Sequence, residues 1–217
     1  MRYFALATDY DGTLANDGAV HPDTLATLGR LKESGRRLVL VTGRLMSDLT
    51  TVFPGFGIFE QIVAENGAIL YDTRTKSETV LGEPPPPEFA EALADRGVSP
   101  LEIGRVMVAA RDVYKQIILQ TIEELGLELQ IIFNKGAAMV LPSGVNKATG
   151  LNAALRRLGL SAHNTVGVGD AENAHAFLNI CERSIAVANA LPALRAKADL
   201  VTARANGAGV SELCPRI

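Results

Sequence analysis

The sequence predicts an α/β fold: a parallel sheet interleaved with helices, carrying a small α+β insertion. Three features lead to that expectation. Short apolar runs alternate with stretches of helical period, which implies crossover connections and parallel pairing. Four consecutive prolines, Pro84 to Pro87, then interrupt the alternation, and Pro142, Ser143 and Gly144 close the interruption before it resumes.

Buried strands are expected at residues 3–8, 37–42, 61–64, 165–168, 184–187 and 199–201. The first helix is placed by Pro22 at its opening position, by the stripe of Leu25, Leu28 and Leu31, and by Gly35 at its end. Arg30 and Lys32 are expected on its solvated face. A second helix is expected over 146–158, with Leu151, Leu155 and Leu158 on one side and Gly159 after it. The block 82–143 is read as a helix (88–96), a strand (105–110), a long helix (112–125) and two strands (129–133, 137–141). The proline run is read as a stiff connection into it.

Composition bounds the function. The chain has 217 residues, 47% hydrophobic and 21% charged, enough for a sizeable core. Its net charge is −3, with basic and acidic residues scattered rather than blocked, which argues against nucleic acid or an anionic membrane as partner. Cys181 and Cys214 make neither a disulfide framework nor a zinc site, so a reducing cytoplasm is the expected location. The N-terminal apolar run meets Asp9 and Asp11 too soon for a signal peptide, and no uninterrupted apolar stretch is long enough to span a membrane.

Four segments carry chemistry. Asp9-Tyr10-Asp11-Gly12-Thr13 follows the first strand, and ligands of open α/β sheets collect beyond strand carboxyl ends. Two carboxylates there suit a nucleophile and a general acid/base; an acidic turn closed by Gly12 is the plain alternative. Val41-Thr42-Gly43-Arg44 ends the second strand, offering a hydroxyl and backbone N–H groups to an anionic oxygen, or simply a Thr-Gly turn. Lys147 stands in the first turn of a helix, unfavourable against the dipole unless an anion lies nearby, although a solvated lysine is the common case. No Gly-Lys-Ser/Thr of a nucleotide-binding loop is present. Gly167-Val168-Gly169-Asp170-Ala171-Glu172-Asn173 follows a late strand, where Asp170 and Asp9 together suit a hard cation such as Mg²⁺. Of the histidines, His21 belongs to a helix start, His163 to a loop, and His175 lies beside this last motif.

Taken together, these segments resemble the four motifs of the haloacid dehalogenase superfamily phosphatases. Their order, with Glu65-Asn66-Gly67-Ala68, Asn189-Ala190 and Ala198-Asp199, is similar to the Cof-like and sucrose-phosphatase-like (type IIB, C2-capped) branch. The resemblance implies a Rossmann-like core at 1–81 and 144–217 with a C2-type α+β cap at 82–143 that sets specificity. It implies Asp9 as nucleophile, Asp11 as acid/base, Thr42 and Lys147 as further catalytic groups, and Gly12, Gly43, Arg44 and Asn173 as phosphate-contacting positions. It also implies Mg²⁺ on Asp9, Asp11 and Asp170, and a small phosphorylated metabolite as substrate of a monomer or homodimer. Ala174 departs from the pattern, where the family has Asp; loss of such an outer partner is expected to weaken Mg²⁺ binding about 10- to 100-fold. Two other readings stay open: a phosphomutase of the same superfamily, and a phospho-ligand binding protein with little turnover.

Overall fold

The computed structural model describes residues 2–214. Strand β1 (Ala5–Asp9) is buried along its whole length, so it needs helices on both faces of its sheet. Helix α1 (Pro22–Glu33) follows, with Pro22 at its opening position and the His21 imidazole accepting from the Asp23 N–H. Thr24, Leu28 and Leu31 form its buried stripe, while Leu25 is only half-buried. Lys32, expected in solvent, instead donates to the Ile58 carbonyl at 2.7 Å and pairs with Glu60.

After β2 (Arg37–Val41) come α2 (Met46–Val52), β3 (Gln61–Ala64), β4 (Ile69–Asp72) and β5 (Ser77–Val80). Neither α2 nor the β4–β5 hairpin is among the elements that periodicity picks out. Both are short, and their apolar residues are supplied with partners by neighbours rather than by a local repeat. The chain continues through α3 (Pro87–Asp95), β6 (Glu102–Ile103), β7 (Val108–Arg111), α4 (Lys115–Glu124), β8 (Leu129–Asn134) and β9 (Ala137–Pro142). It ends with α5 (Lys147–Arg157), β10 (Thr165–Gly169), α6 (His175–Leu178), β11 (Arg183–Ala186), α7 (Pro192–Arg195), β12 (Leu200–Val201) and α8 (Asn206–Leu213).

Three expectations within 82–143 are corrected. Pro87 is not part of the connection but the first residue of α3, where a missing N–H costs nothing. The expected strand at 105–110 begins only at Val108, because the N–H groups of 105–107 are claimed by Glu65 rather than by a neighbouring strand, and a short β6 precedes it. The expected helix at 112–125 opens as a 3-10 turn (Asp112–Tyr114) before α4 begins.

Among the described residues one sheet has eight strands in the order β12-β11-β10-β1-β2-β3-β4-β5, and a second has four in the order β6-β7-β9-β8. β1 pairs in parallel with β2 and with β10, and β11 and β12 extend that side in parallel. β3 is parallel to β2, whereas β4 and β5 add antiparallel strands at the edge. The fold is thus α/β, a parallel-sheet core with an extra antiparallel sheet. The chain leaves β1 toward β2 on one side and returns as β10 on the other, so the carboxyl ends of β1 and β10 flank a topological switch point.

Period-two alternation explains how the second sheet sits. Val108, Ala110, Ala138 and Val140 face Phe89, Leu93, Ile118 and Ile122 of α3 and α4, forming a small core of their own. The intervening Ala109, Met139 and Leu141 point the other way and join the main core cluster.

Candidate active site

Three of the four motif segments follow the carboxyl ends of β1, β2 and β10 in the large sheet, and the fourth opens α5. Asp9 closes β1 with only 4% of its surface exposed; one carboxylate oxygen (Oδ1) accepts the Tyr10 N–H at 2.8 Å, and the other (Oδ2) accepts from Lys147 Nζ at 2.6 Å. Lys147 is 1% exposed and opens α5 behind a capping box of Asn146 and Thr149. The box satisfies N–H groups of the first turn and sets the helix start at Lys147. Burial drives the Asp9 carboxyl above its ordinary range, Lys147 opposes that, and the negative charge of Asp170 adds to it.

Asp170, just past β10, is 3% exposed. Its Oδ1 accepts from the Thr13 hydroxyl at 2.8 Å and its Oδ2 from Lys135 Nζ at 2.6 Å. The same ammonium lies 3.2 Å from the Asp11 carbonyl oxygen. Gly12 is needed between these groups: its φ is +78°, and a Cβ there would lie 2.6 Å from Lys135 Nζ and collide with the Asp170 carboxylate. Its own N–H is committed to the Ala15 carbonyl.

The Asp11 carboxylate turns away from Asp9 and Asp170. Both its oxygens accept from Arg44, Oδ2 from Nε and Oδ1 from Nη2, each at 2.8 Å. Arg44 also donates to Asp48 one helical turn on, and its guanidinium carbon stands 5.5 Å from the Tyr10 ring centroid. Hydrogen bonding by Asp11, set against burial, holds the guanidinium firmly protonated. Thr42 is fully buried, its hydroxyl accepting the Arg44 N–H at 3.1 Å. Among the described residues no three or more His, Cys, Asp or Glu side chains group as a metal cluster; the Asp170 carboxylate and the Asp11 carbonyl oxygen instead meet at the Lys135 ammonium.

A cavity of about 540 Å³ opens over these groups, floored by Asp9, Asp11, Gly43, Arg44, Lys147 and Asn173 and roofed by Met107 and by Ala109, Asn134 and Met139 of the second sheet. Two openings of about 790 Å³ lie elsewhere, one by the amino ends of β2 and β3 and one between α1 and α8, and neither holds these carboxylates. The roof is tied down by Glu65, buried at φ +47°. Its Oε1 accepts the Arg105 N–H at 3.0 Å, and its Oε2 accepts those of Val106 at 2.9 Å and Met107 at 3.0 Å. Gly104 permits this approach, since a Cβ there would meet Glu65 Oε2 at 2.5 Å.

The sequence model for haloacid dehalogenase-like hydrolases matches residues 6–114 and 101–213, essentially the whole described chain. The chain belongs to the haloacid dehalogenase-like hydrolases. It is 28% identical to a phosphoglycolate phosphatase of Methanothermobacter thermautotrophicus, over 98% of this chain and 97% of that protein. It is 30% identical to phosphoglycolate phosphatase 2 of Saccharolobus solfataricus, over 98% of this chain and 91% of that one. A solved haloacid dehalogenase-like hydrolase from Bacteroides thetaiotaomicron shares the fold with a TM-score of 0.82 at 20% identity, covering 99% of each chain. A subclass IIB sugar phosphatase of the superfamily superposes with a TM-score of 0.81 at 18% identity, covering 98% of each.

In this hydrolase the four motif segments converge on one place: Asp9, Asp11, Gly43, Arg44, Lys147 and Asn173 line the cavity, Asp170 joins through Lys135, and Thr42 lies buried beside Arg44. Asn173 donates to the Asn66 side-chain oxygen at 3.2 Å, leaving Asn173 Oδ1 and Asn66 Nδ2 buried without a protein partner. Ala174 is fully buried in the main core cluster. The imidazole of His175 is held below its ordinary pKa by burial and then by Lys197.

Sequence reasoning missed Thr13, Glu65 and Lys135. Thr13 belongs to the first motif, but its bond to Asp170 crosses 157 positions. Glu65 stood in a quoted segment without a role. Lys135 is flanked by two expected strands and followed by Gly136, so a hairpin turn was visible; its reach to Asp170 was not.

Proposed function

We propose that this hydrolase is a Mg²⁺-dependent phosphatase acting on a small phosphorylated metabolite, of phosphoglycolate or sugar phosphate type, through a phospho-aspartyl intermediate on Asp9. The observation that carries the reading is the buried Asp9 carboxylate at the end of β1, held 2.6 Å from Lys147 beside Asp170. The names of the full-length relatives support the phosphoglycolate class.

The donor set fits Mg²⁺, because an ammonium already lies on the Asp11 carbonyl and Asp170 Oδ2 and these hard oxygens converge on one cation. Asp9, Asp170 and the Asp11 carbonyl would hold the ion. Bound there, Mg²⁺ supplies charge neutralisation for the phosphoryl oxygens and the carboxylates.

In the first half-reaction an Asp9 oxygen attacks phosphorus as the bond to the leaving alcohol oxygen breaks, and Asp11 gives that oxygen a proton. In the second, water attacks the phosphoryl group, its proton passes to Asp11, and the Asp9–phosphorus bond breaks to free Asp9 and inorganic phosphate. Lys147 balances the Asp9 charge, and Thr42, Gly43 and Asn173 are assigned to the phosphoryl oxygens. Arg44 holds Asp11 by both oxygens, so proton transfer requires the carboxyl to turn from the guanidinium; Arg44 sets its resting place. Residues 82–143 act as the cap and 1–81 with 144–217 as the core, the roof residues choosing the leaving group and excluding water.

The test is phosphate release from p-nitrophenyl phosphate and 2-phosphoglycolate, with and without Mg²⁺, by the chain and by Asp9→Asn. Mg²⁺-dependent release that Asp9→Asn reduces at least about 1000-fold is expected. Wild-type rates in that variant would remove Asp9 as nucleophile. Transfer of phosphate to sugar without free phosphate would indicate a mutase. Ala174 is the feature favouring a binding protein, and silence on every phosphate ester tried would shift the reading there.

A further inference from the structure

The turn between β8 and β9 delivers a cation to the core. Lys135 sits at its tip with φ +47°, and its side chain, 44% exposed, ends on two oxygens of the large-sheet loops. One is Asp170 Oδ2 at 2.6 Å, the other the Asp11 carbonyl at 3.2 Å. These come from the loops after β10 and β1, and they are the oxygens assigned above to Mg²⁺. Among the described residues Lys135 is the cationic partner of Asp170, as Lys147 is of Asp9. Two buried carboxylates in one site each need a counter-charge, and Lys135 supplies the second from outside the core.

One small oxygen pocket does not hold an ammonium and a divalent ion together. Mg²⁺ takes its oxygens at about 2.0–2.1 Å, inside the space that Nζ fills. We propose that Lys135 is a built-in competitor of the divalent cation: its ammonium holds the Asp11 and Asp170 oxygens when the metal is absent, and metal entry expels it. Docking of the β8–β9 turn and metal binding therefore exclude each other, and apparent metal affinity is lowered by the fraction of molecules whose pocket the lysine fills. The inference rests on the cation site of the proposed function.

The test measures Mg²⁺ binding calorimetrically with the full chain, Lys135→Met, and Lys115→Met, the last removing an exposed α4 lysine as a control for net charge. Lys135→Met is expected to bind about tenfold or more tightly, with Lys115→Met unchanged and the difference persisting at high salt, where long-range charge effects are screened. In the unmodified chain, reductive methylation of Lys135, read by mass spectrometry, is expected to speed up when Mg²⁺ is added. That readout needs no variant and stands if Lys135→Met fails to fold. Equal affinities for all three chains, or methylation indifferent to Mg²⁺, would overturn the competition while leaving the metal site intact. Absence of Mg²⁺ binding in every chain would overturn the metal site as well.

Discussion

Replacing Glu65 by Ala isolates what holds the roof over the cavity. The carboxylate is 2% exposed and accepts three backbone N–H groups of 105–107 at 2.9–3.0 Å. A hydrogen bond to a charged acceptor is worth about 1.5–3 kcal/mol, so three give about 4–9 kcal/mol if nothing replaces them. Water reaches the Arg105 end of the segment and re-pairs part of that loss, which leaves about 3 kcal/mol for opening of 104–107. The positive φ at position 65 is strained for Glu, Gln and Ala alike, so it cancels in the comparison. Amide hydrogen exchange at Val106 and Met107 should accelerate about 100-fold, at tenfold per 1.4 kcal/mol. The melting temperature should fall about 6–12 °C if the segment opens only on global unfolding, and less if it opens alone. Glu65→Gln, which keeps one acceptor oxygen, should lie between. Exchange rates at 105–107 within twofold of wild type in Glu65→Ala would refute the anchoring.

Three further outcomes are expected. Lys147→Met leaves a buried Asp9 beside Asp170 and should cost about 3–5 kcal/mol at pH 8; because a raised carboxyl stabilises below its unfolded pKa and loses that as pH rises, the gap in melting temperature should narrow at pH 5, and an equal gap at both would count against the pairing. Burial pushes the Cys181 thiol up to about 12 and Cys214 to about 11 from 9.0, so their contribution is full below pH 9 and lost above it; native protein should resist thiol labelling at pH 8, and Cys181→Ala should flatten part of the alkaline fall in melting temperature. Ala174→Asp should lower the Mg²⁺ concentration for half-maximal phosphate release while reducing the melting temperature, since its position is fully buried; an unchanged metal requirement would show that position 174 plays no part.

The sequence by itself determined what depends on short stretches of chain. The apolar runs placed the core strands within a residue or two, because a strand covered on both faces has to be continuously apolar. Asp9 and Asp11, Thr42, Lys147 and Asp170 were legible because each stands where a strand or a helix start presents it, and strand order then brings the ends together. The tertiary structure alone decided which oxygens meet which charges. Asp11 points its carboxylate at Arg44 and only its carbonyl at the Lys135 ammonium, a matter of side-chain direction that spacing does not encode. Lys135 lies 35 positions from Asp170 and 124 from Asp11, yet it touches both. Glu65 claims N–H groups 40 to 42 positions away, taking 105–107 out of an expected strand that begins only at Val108. Such contacts join the two sheets, and local propensity is blind to them because the partners become neighbours only when both sheets have formed.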